Sequence, residues 1–218
     1  MQKLLLLAGA LFSALPAYCA NNKITSLPFF ITDPGTYVLT GDMNSSASGT
    51  NPAAINISPS VSGPVVVDLK GYTIKGSAGF GLCVNIGIGF PARANAFPIT
   101  IRNGTISNFS FGVWAVSSQG VSAFLSDLTV SNLTISLSQN AADSSAGIIW
   151  SYVNNSTISN CRISGGDWAI EDAQSQGGNT YSNVTAFGND GFWILPVNST
   201  PLTINHASVA APAASPAP

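Results

Sequence analysis

Acidic side chains are scarce in this chain, nine Asp and Glu in 218 residues, so their placement carries information. Asp167, Glu171, Asp172 and Asp190 fall within one short stretch, in the local sequences GGDWAIED and GNDGFWIL. A pair of carboxylates a few ångströms apart is the working unit of glycoside hydrolysis, one acting as acid and the other as base or nucleophile. Clustered carboxylates also bind Ca²⁺. Trp114 and Trp193 are flat surfaces on which the apolar face of a sugar ring can stack while its polar edges stay free. Arg93 is a basic residue that could meet an anionic substrate group. Each residue also has a plainer role available. Asp167 and Asp190 stand where turns end before a strand, and the tryptophans could be covered by loops or by a neighbouring subunit. The sole histidine, His206, sits near the end of the chain.

What would bring these residues together is a repeat. LKGYTIKG (69–76), IRNGTISN (101–108), LSDLTVSN (125–132), ISNCRISG (158–165) and YSNVTAFG (181–188) align, with a degraded sixth copy INHASVAA (204–211). Their apolar anchors are Ile74, Ile106, Val130, Ile163, Ala186 and Val209, at spacings of 32, 24, 33, 23 and 23. A period near 23 with two insertions of about ten residues accounts for all of them. Three residues before the anchor stand Gly71, Asn103, Asp127, Asn160, Asn183 and His206. Two after it stand Gly76, Asn108, Asn132, Gly165 and Gly188. These residue types tolerate left-handed backbone, which a chain needs to turn a corner at the same place in every coil.

A further strand follows each copy: GLCVN (81–85), GVWAV (112–116), GIIWS (147–151), DWAIE (167–171) and GFWIL (191–195). Its second and fourth residues are apolar throughout, so Trp150 and Trp168 are expected inside. The third position, facing out, reads Cys83, Trp114, Ile149, Ala169 and Trp193. Asp167 and Glu171 are expected to face out, with Asp190 one coil from Asp167 at about 5–7 Å. Three short strands per period predict an all-β chain, a three-sided parallel solenoid of six to seven coils. Residues 24–40 are expected to cap one end. The insertions at 86–97 and 136–146 flank the outward strand and could wall a cleft or simply decorate the surface.

Composition narrows the function classes. Seven Lys and Arg give no basic footprint for nucleic acid, and the net charge is −2. Lys3 followed by an apolar run to Leu15 and by Pro16–Ala20 reads as a signal peptide over residues 1–20, with cleavage after Cys19 or Ala20. The expectation is a secreted or periplasmic protein that leaves the membrane on cleavage, with the solenoid over 21–209 and a disordered Ala/Pro-rich tail over 210–218. Cys83 and Cys161 fall on different strands about three coils apart, too far to bridge, and read as packing residues.

VVVDLKGYTIKG followed by ITIRNGTISNFSFGVW resembles the right-handed parallel β-helix superfamily that includes pectate lyases and polygalacturonases. The resemblance spans about residues 24–209 and implies the fold and its handedness. It also implies a substrate face on the strand after the glycine-rich turn, and Ca²⁺ as the cofactor to consider. The Asn-Thr-Asp, Asp-Asp, Gly-His-Gly and Arg-x-Lys motifs of polygalacturonases are absent, so activity does not follow from it. The expected function is binding or processing of a polysaccharide. Asp167, Asp190 and Glu171 are the candidate catalytic groups, and Trp114, Trp193, Asp172 and Arg93 the candidate binding groups. The alternative is a non-catalytic structural, adhesive or surface-binding solenoid. Its support is the outward column Thr73, Thr105, Thr129, Arg162, Thr185 and Ser208. Sequons such as Asn56, Asn103 and Asn132 follow from an Asn/Ser/Thr-rich composition.

Overall fold

The computed structural model describes residues 21–46, 53–58, 60–76, 86–90, 97–116, 125–138, 145–173, 177–189, 191–195, 203–205 and 208–210. Among them there is no helix, and every strand pairing is parallel. The larger sheet runs β1 (Asn22–Ile24), β3 (Gly35–Leu39), β6 (Val65–Asp68), β9 (Ile99–Ser107), β12 (Leu128–Ser136), β15 (Thr157–Ser164), β17 (Thr180–Phe187) and β19 (Thr203–Asn205). It is extended by β4 (Met43–Asn44), β7 (Thr73–Lys75) and β20 (Ser208–Ala210). The second sheet orders β2 (Phe29–Ile31), β5 (Ala53–Ile57), β8 (Ile86–Phe90), β10 (Phe111–Val116), β13 (Ala146–Ser151), β16 (Trp168–Ala173) and β18 (Gly191–Leu195). A short third sheet pairs β11 (Leu125–Ser126) with β14 (Val153–Asn154). The chain alternates between the two large sheets, and each strand pairs with its counterpart one repeat on. That is the pattern of a solenoid-like parallel stack.

Asparagine makes the bends. Asn103, Asn132, Asn160 and Asn183 have φ of 60°, 54°, 52° and 50°. Each sits in the middle of a long strand and breaks it into two arms. Their amides bond along the stack: Asn132 Nδ2 donates to Asn103 Oδ1 at 3.2 Å, and Asn183 Nδ2 to Asn160 Oδ1 at 2.7 Å. A short polar side chain stabilises the left-handed conformation locally, and the stacking ties neighbouring coils together.

The core is a set of inward apolar columns. Ile74, Ile106, Ile135, Ile163 and Ala186 form one of them, and Val67, Ile101, Val130, Ile158 and Tyr181 another. All ten are buried. The second sheet closes against the first where Gly112 and Gly147 admit the Ile135 and Ile163 side chains. A methyl at Gly112 would lie 2.6 Å from Ile135 Cγ2, and one at Gly147 would lie 2.4 Å from Ile163 Cγ2.

Register alters three expected alignments. The third coil is anchored by Ile135, not Val130, because Val130 pairs with Ile101 and Ile158. Asn132 therefore takes the corner position assigned to Asp127, and Thr134 takes Thr129's place beside Thr105 and Arg162. The second-sheet strand of the first full coil is Ile86–Phe90, so Gly89 rather than Cys83 pairs with Trp114. In β16 the pairing is displaced by two residues, so that Ile148 meets Ile170 and Ile149 meets Glu171. Residues 24–40 contribute β2 and β3, and Ala210 belongs to β20. Residues 1–20 and 211–218, Cys83, His206 and about half of each insertion, 91–96 and 139–144, lie outside the described residues.

Candidate functional site

The outward column of the second sheet can be followed through all seven strands. Its members are Phe30, Asn56, Gly89, Trp114, Ile149, Glu171 and Trp193. Alternation fixes its direction. Ile55 and Ile57, Val113 and Ala115, Ile148 and Trp150, and Ile170 and Asp172 flank successive members, and all of these are buried. Asn56, Trp114, Ile149 and Glu171 are half-buried, and Phe30 is 49% exposed. Trp193 enters through its backbone pairing with Glu171.

Glu171, expected one column away, thus lies in the same line as Trp114 and Trp193, where Ala169 was expected. The displacement is relative to the expected alignment only, and the turn itself is of ordinary length. Three residues separate Ser107 from Phe111, Ser164 from Trp168 and Phe187 from Gly191, so Glu171 stands as far beyond Ile163 as Trp114 stands beyond Ile106. Ala169 and Ile170 are both buried, and a register irregularity separates Trp168 from Glu171 in the pairing with β18. Trp168, expected in the core, is half-buried, whereas Trp150 is fully buried as expected. Burial pushes the Glu171 carboxyl above the usual range, because the charged form loses hydration.

The other carboxylates are otherwise occupied. Asp167 caps the turn into β16: its Oδ2 accepts the Ser145 N–H at 2.7 Å, and its own N–H donates to Ser145 Oγ at 3.0 Å. Asp172 points into the core, 2% exposed, in the column that continues from Trp150. It accepts hydrogen bonds from the Tyr181 hydroxyl and, at 2.9 Å, from Asn179 Nδ2. Asn179 in turn donates to Val153 O at 2.7 Å and accepts the Ser156 N–H at 3.0 Å. This network satisfies a buried charge in the way a parallel core requires. Burial and the Asp172 carboxylate push the Tyr181 phenol well above its ordinary range. A second buried acid, Asp68, faces Arg102 Nε at 3.0 Å. Burial alone would raise its pKa, but the Lys70 N–H, the Asn103 amide and Arg102 outweigh that and lower it. Asp190 and Arg93 lie outside the described residues. Among those described, no three His, Cys, Asp or Glu side chains gather as a metal site would require.

The larger sheet offers a different face. Thr100, Thr129, Thr157 and Thr180 stand in register on four successive strands, and Ser131, Ser159 and Ser182 two residues further on. Beyond the asparagine bend, Thr134, Arg162 and Thr185 line a shallow groove of ≈ 350 Å³ with Asn132, Asn160 and Asn183. Arg162 lies over the Phe187 ring, 4.2 Å from its centroid.

The sequence reading missed Phe30. Its signal was an FFI triplet with the same in-out alternation as the later strands, placed in a stretch read as a cap. No protein-family model, no curated protein and no solved structure matches the chain.

Proposed function

We propose that the protein is a right-handed, three-sided parallel β-helix, secreted or periplasmic, that binds a polysaccharide along the outward column of its second sheet. The observation that carries this reading is the register that sets Trp114, Glu171 and Trp193 in one line. Strand spacing puts Trp114 and Trp193 about 14 Å apart, three strands along the stack. Tryptophan offers a stacking surface for a pyranose ring, and a carboxylate between the two accepts hydrogen bonds from sugar hydroxyls. Binding is favoured over cleavage. Among the described residues, Asp167 is bonded to Ser145 and Asp172 is in the core, so neither is paired with Glu171 as glycoside hydrolysis uses two carboxylates.

Affinity electrophoresis in gels containing soluble polysaccharides tests this. At least one neutral polysaccharide is expected to retard the protein, and Trp114→Ala to abolish most of the retardation. Retardation unchanged in Trp114→Ala and in Glu171→Gln would sink the reading.

A second reading has its own observation, the in-register threonines of the larger sheet. A flat ladder of hydroxyls and methyls at strand spacing could dock on an ordered surface such as ice or a crystalline glycan. Thermal hysteresis that disappears in Thr129→Lys would support it, and its absence from the unaltered protein would remove ice from consideration.

A further inference from the structure

The aromatic members of the outward column are evenly spaced. Counting strands from β2, Phe30 is first, Trp114 fourth and Trp193 seventh. Each interval is three strands, about 14 Å, and the whole column runs about 29 Å along the stack. Phe30 is the most exposed large apolar side chain among the described residues, at 49%, and no packing need explains its position. Between the aromatics lie Asn56, Gly89, Ile149 and Glu171, none of which carries a ring. The only ionisable member is Glu171, so the column presents no cation to an acidic polymer.

We infer that the occupant of this column is an extended, neutral, β-linked hexose or pentose polymer lying along the solenoid axis, across the strands, with Phe30 as a third stacking position beyond the two tryptophans. The inference rests on the polysaccharide-binding reading and adds the ligand's length, direction and charge class. The fit is geometric. One sugar unit of a straight β-linked chain is close to one strand spacing in length, so every third unit meets an aromatic ring. Sugars with equatorial hydroxyls present an apolar face on both sides, so a chain that flips from unit to unit can stack at each position. A uronate polymer would instead bring its carboxylates toward Glu171, which repels it.

Calorimetric titration with β-1,4-linked glucose, mannose and xylose oligomers of three and of seven units, and with polygalacturonate oligomers of the same lengths, tests the inference. One neutral heptamer is expected to bind at least about tenfold more tightly than its trimer. Phe30→Ala should weaken the heptamer about three- to tenfold and leave the trimer unchanged, because one stacked ring contributes about that much. Its exposed position lets the variant fold, which circular dichroism checks. Equal affinity for trimer and heptamer, an unaffected heptamer in Phe30→Ala, or a preference for polygalacturonate each overturns the inference while leaving glycan binding in place. Failure of the earlier reading looks different: no saccharide binds, or Trp114→Ala changes nothing for either length.

Discussion

At the scale of single residues, the two carboxylates Glu171 and Asp172 are neighbours in sequence with opposite fates, and both fates can be tested. Asp172 is a buried charge held by the Tyr181 hydroxyl and the Asn179 amide. Tyr181→Phe removes one oxygen, keeps the ring that packs 5.9 Å from Trp150, and leaves the carboxylate short of a donor. The expected loss is about 1–3 kcal/mol in urea unfolding, with an unchanged m-value. Glu171 has the reverse problem, since its charged form is partly desolvated and its carboxyl is raised. A raised acid is deprotonated in the unfolded chain before it is in the folded one. Stability is therefore lost as pH climbs from the unfolded value, about 4.3, through the higher folded one. Glu171→Gln is expected to raise Tm at neutral pH, and the gain is expected to vanish below about pH 4. A thermal melt series from pH 3 to pH 8 checks both halves of that statement.

At the scale of the strand and its corners, Asn132 shows how much the sequence revealed and where it misled. The recurring Asn three residues before an apolar anchor was enough to place a left-handed bend, and Asn103, Asn160 and Asn183 take it as expected. In the third coil two candidates compete, Asp127 and Asn132, each followed by an apolar, Thr/Ser-rich run. Both have positive φ, 58° and 54°, so residue type could not choose between them. The choice is made by pairing: Leu133, Thr134 and Ile135 align with Gly104, Thr105 and Ile106 only when Asn132 is the bend. The slip in β16 has a related origin. A shift of two residues keeps every side chain on its face, so alternation could not choose between the frames, and the pairing of Ile149 with Glu171 does. It moved Glu171 into the aromatic column, whereas Asp172, two residues past the inward Ile170, has core parity in either frame, so the candidate site was legible as a face but not in its membership. Asn132→Ala is expected to cost about 1–2 kcal/mol, since alanine must hold the left-handed conformation and the amide bond to Asn103 is lost. Asn132→Gly should cost less, because glycine has no Cβ to strain. The ordering of the two in denaturant midpoints is the measurement, and equal midpoints would mean that the bend is not held by local backbone preference.

For the molecule as a whole, successive coils are interchangeable only in their pairing, and that allows a coil to be removed. Leu125 and Ser126 pair with Val153 and Asn154, and Thr129 pairs with Thr157, 28 positions on in each case. Excising Ser126–Val153 joins Leu125 to Asn154 with each strand meeting a counterpart of the right facing. Ser156 and its bond to Asn179 are retained, and Leu125 takes the place of Val153. In a one-dimensional stack, stability is close to a sum of coil and interface terms, so the shortened chain is expected to fold cooperatively at a lower Tm. Part of that loss comes from replacing Trp150 beside Asp172 with the much smaller Ala115. Excising one residue fewer shifts the parity of the incoming strand and turns its core side chains to solvent, so that chain is expected not to fold. The pair of deletions separates a stack of equivalent coils from any fold in which the third coil has a unique place. The same excision removes Ile149 from the outward column and brings Trp114 beside Glu171, one strand spacing nearer to Trp193. If a polymer lies along that column, the first and third units of a trimer now span Trp114 and Trp193, whereas in the intact chain a trimer meets one ring at a time. The heptamer's advantage over the trimer is then expected to shrink in a chain that still melts cooperatively. A full advantage retained after the excision would mean that the ligand's length is read somewhere other than along the stack.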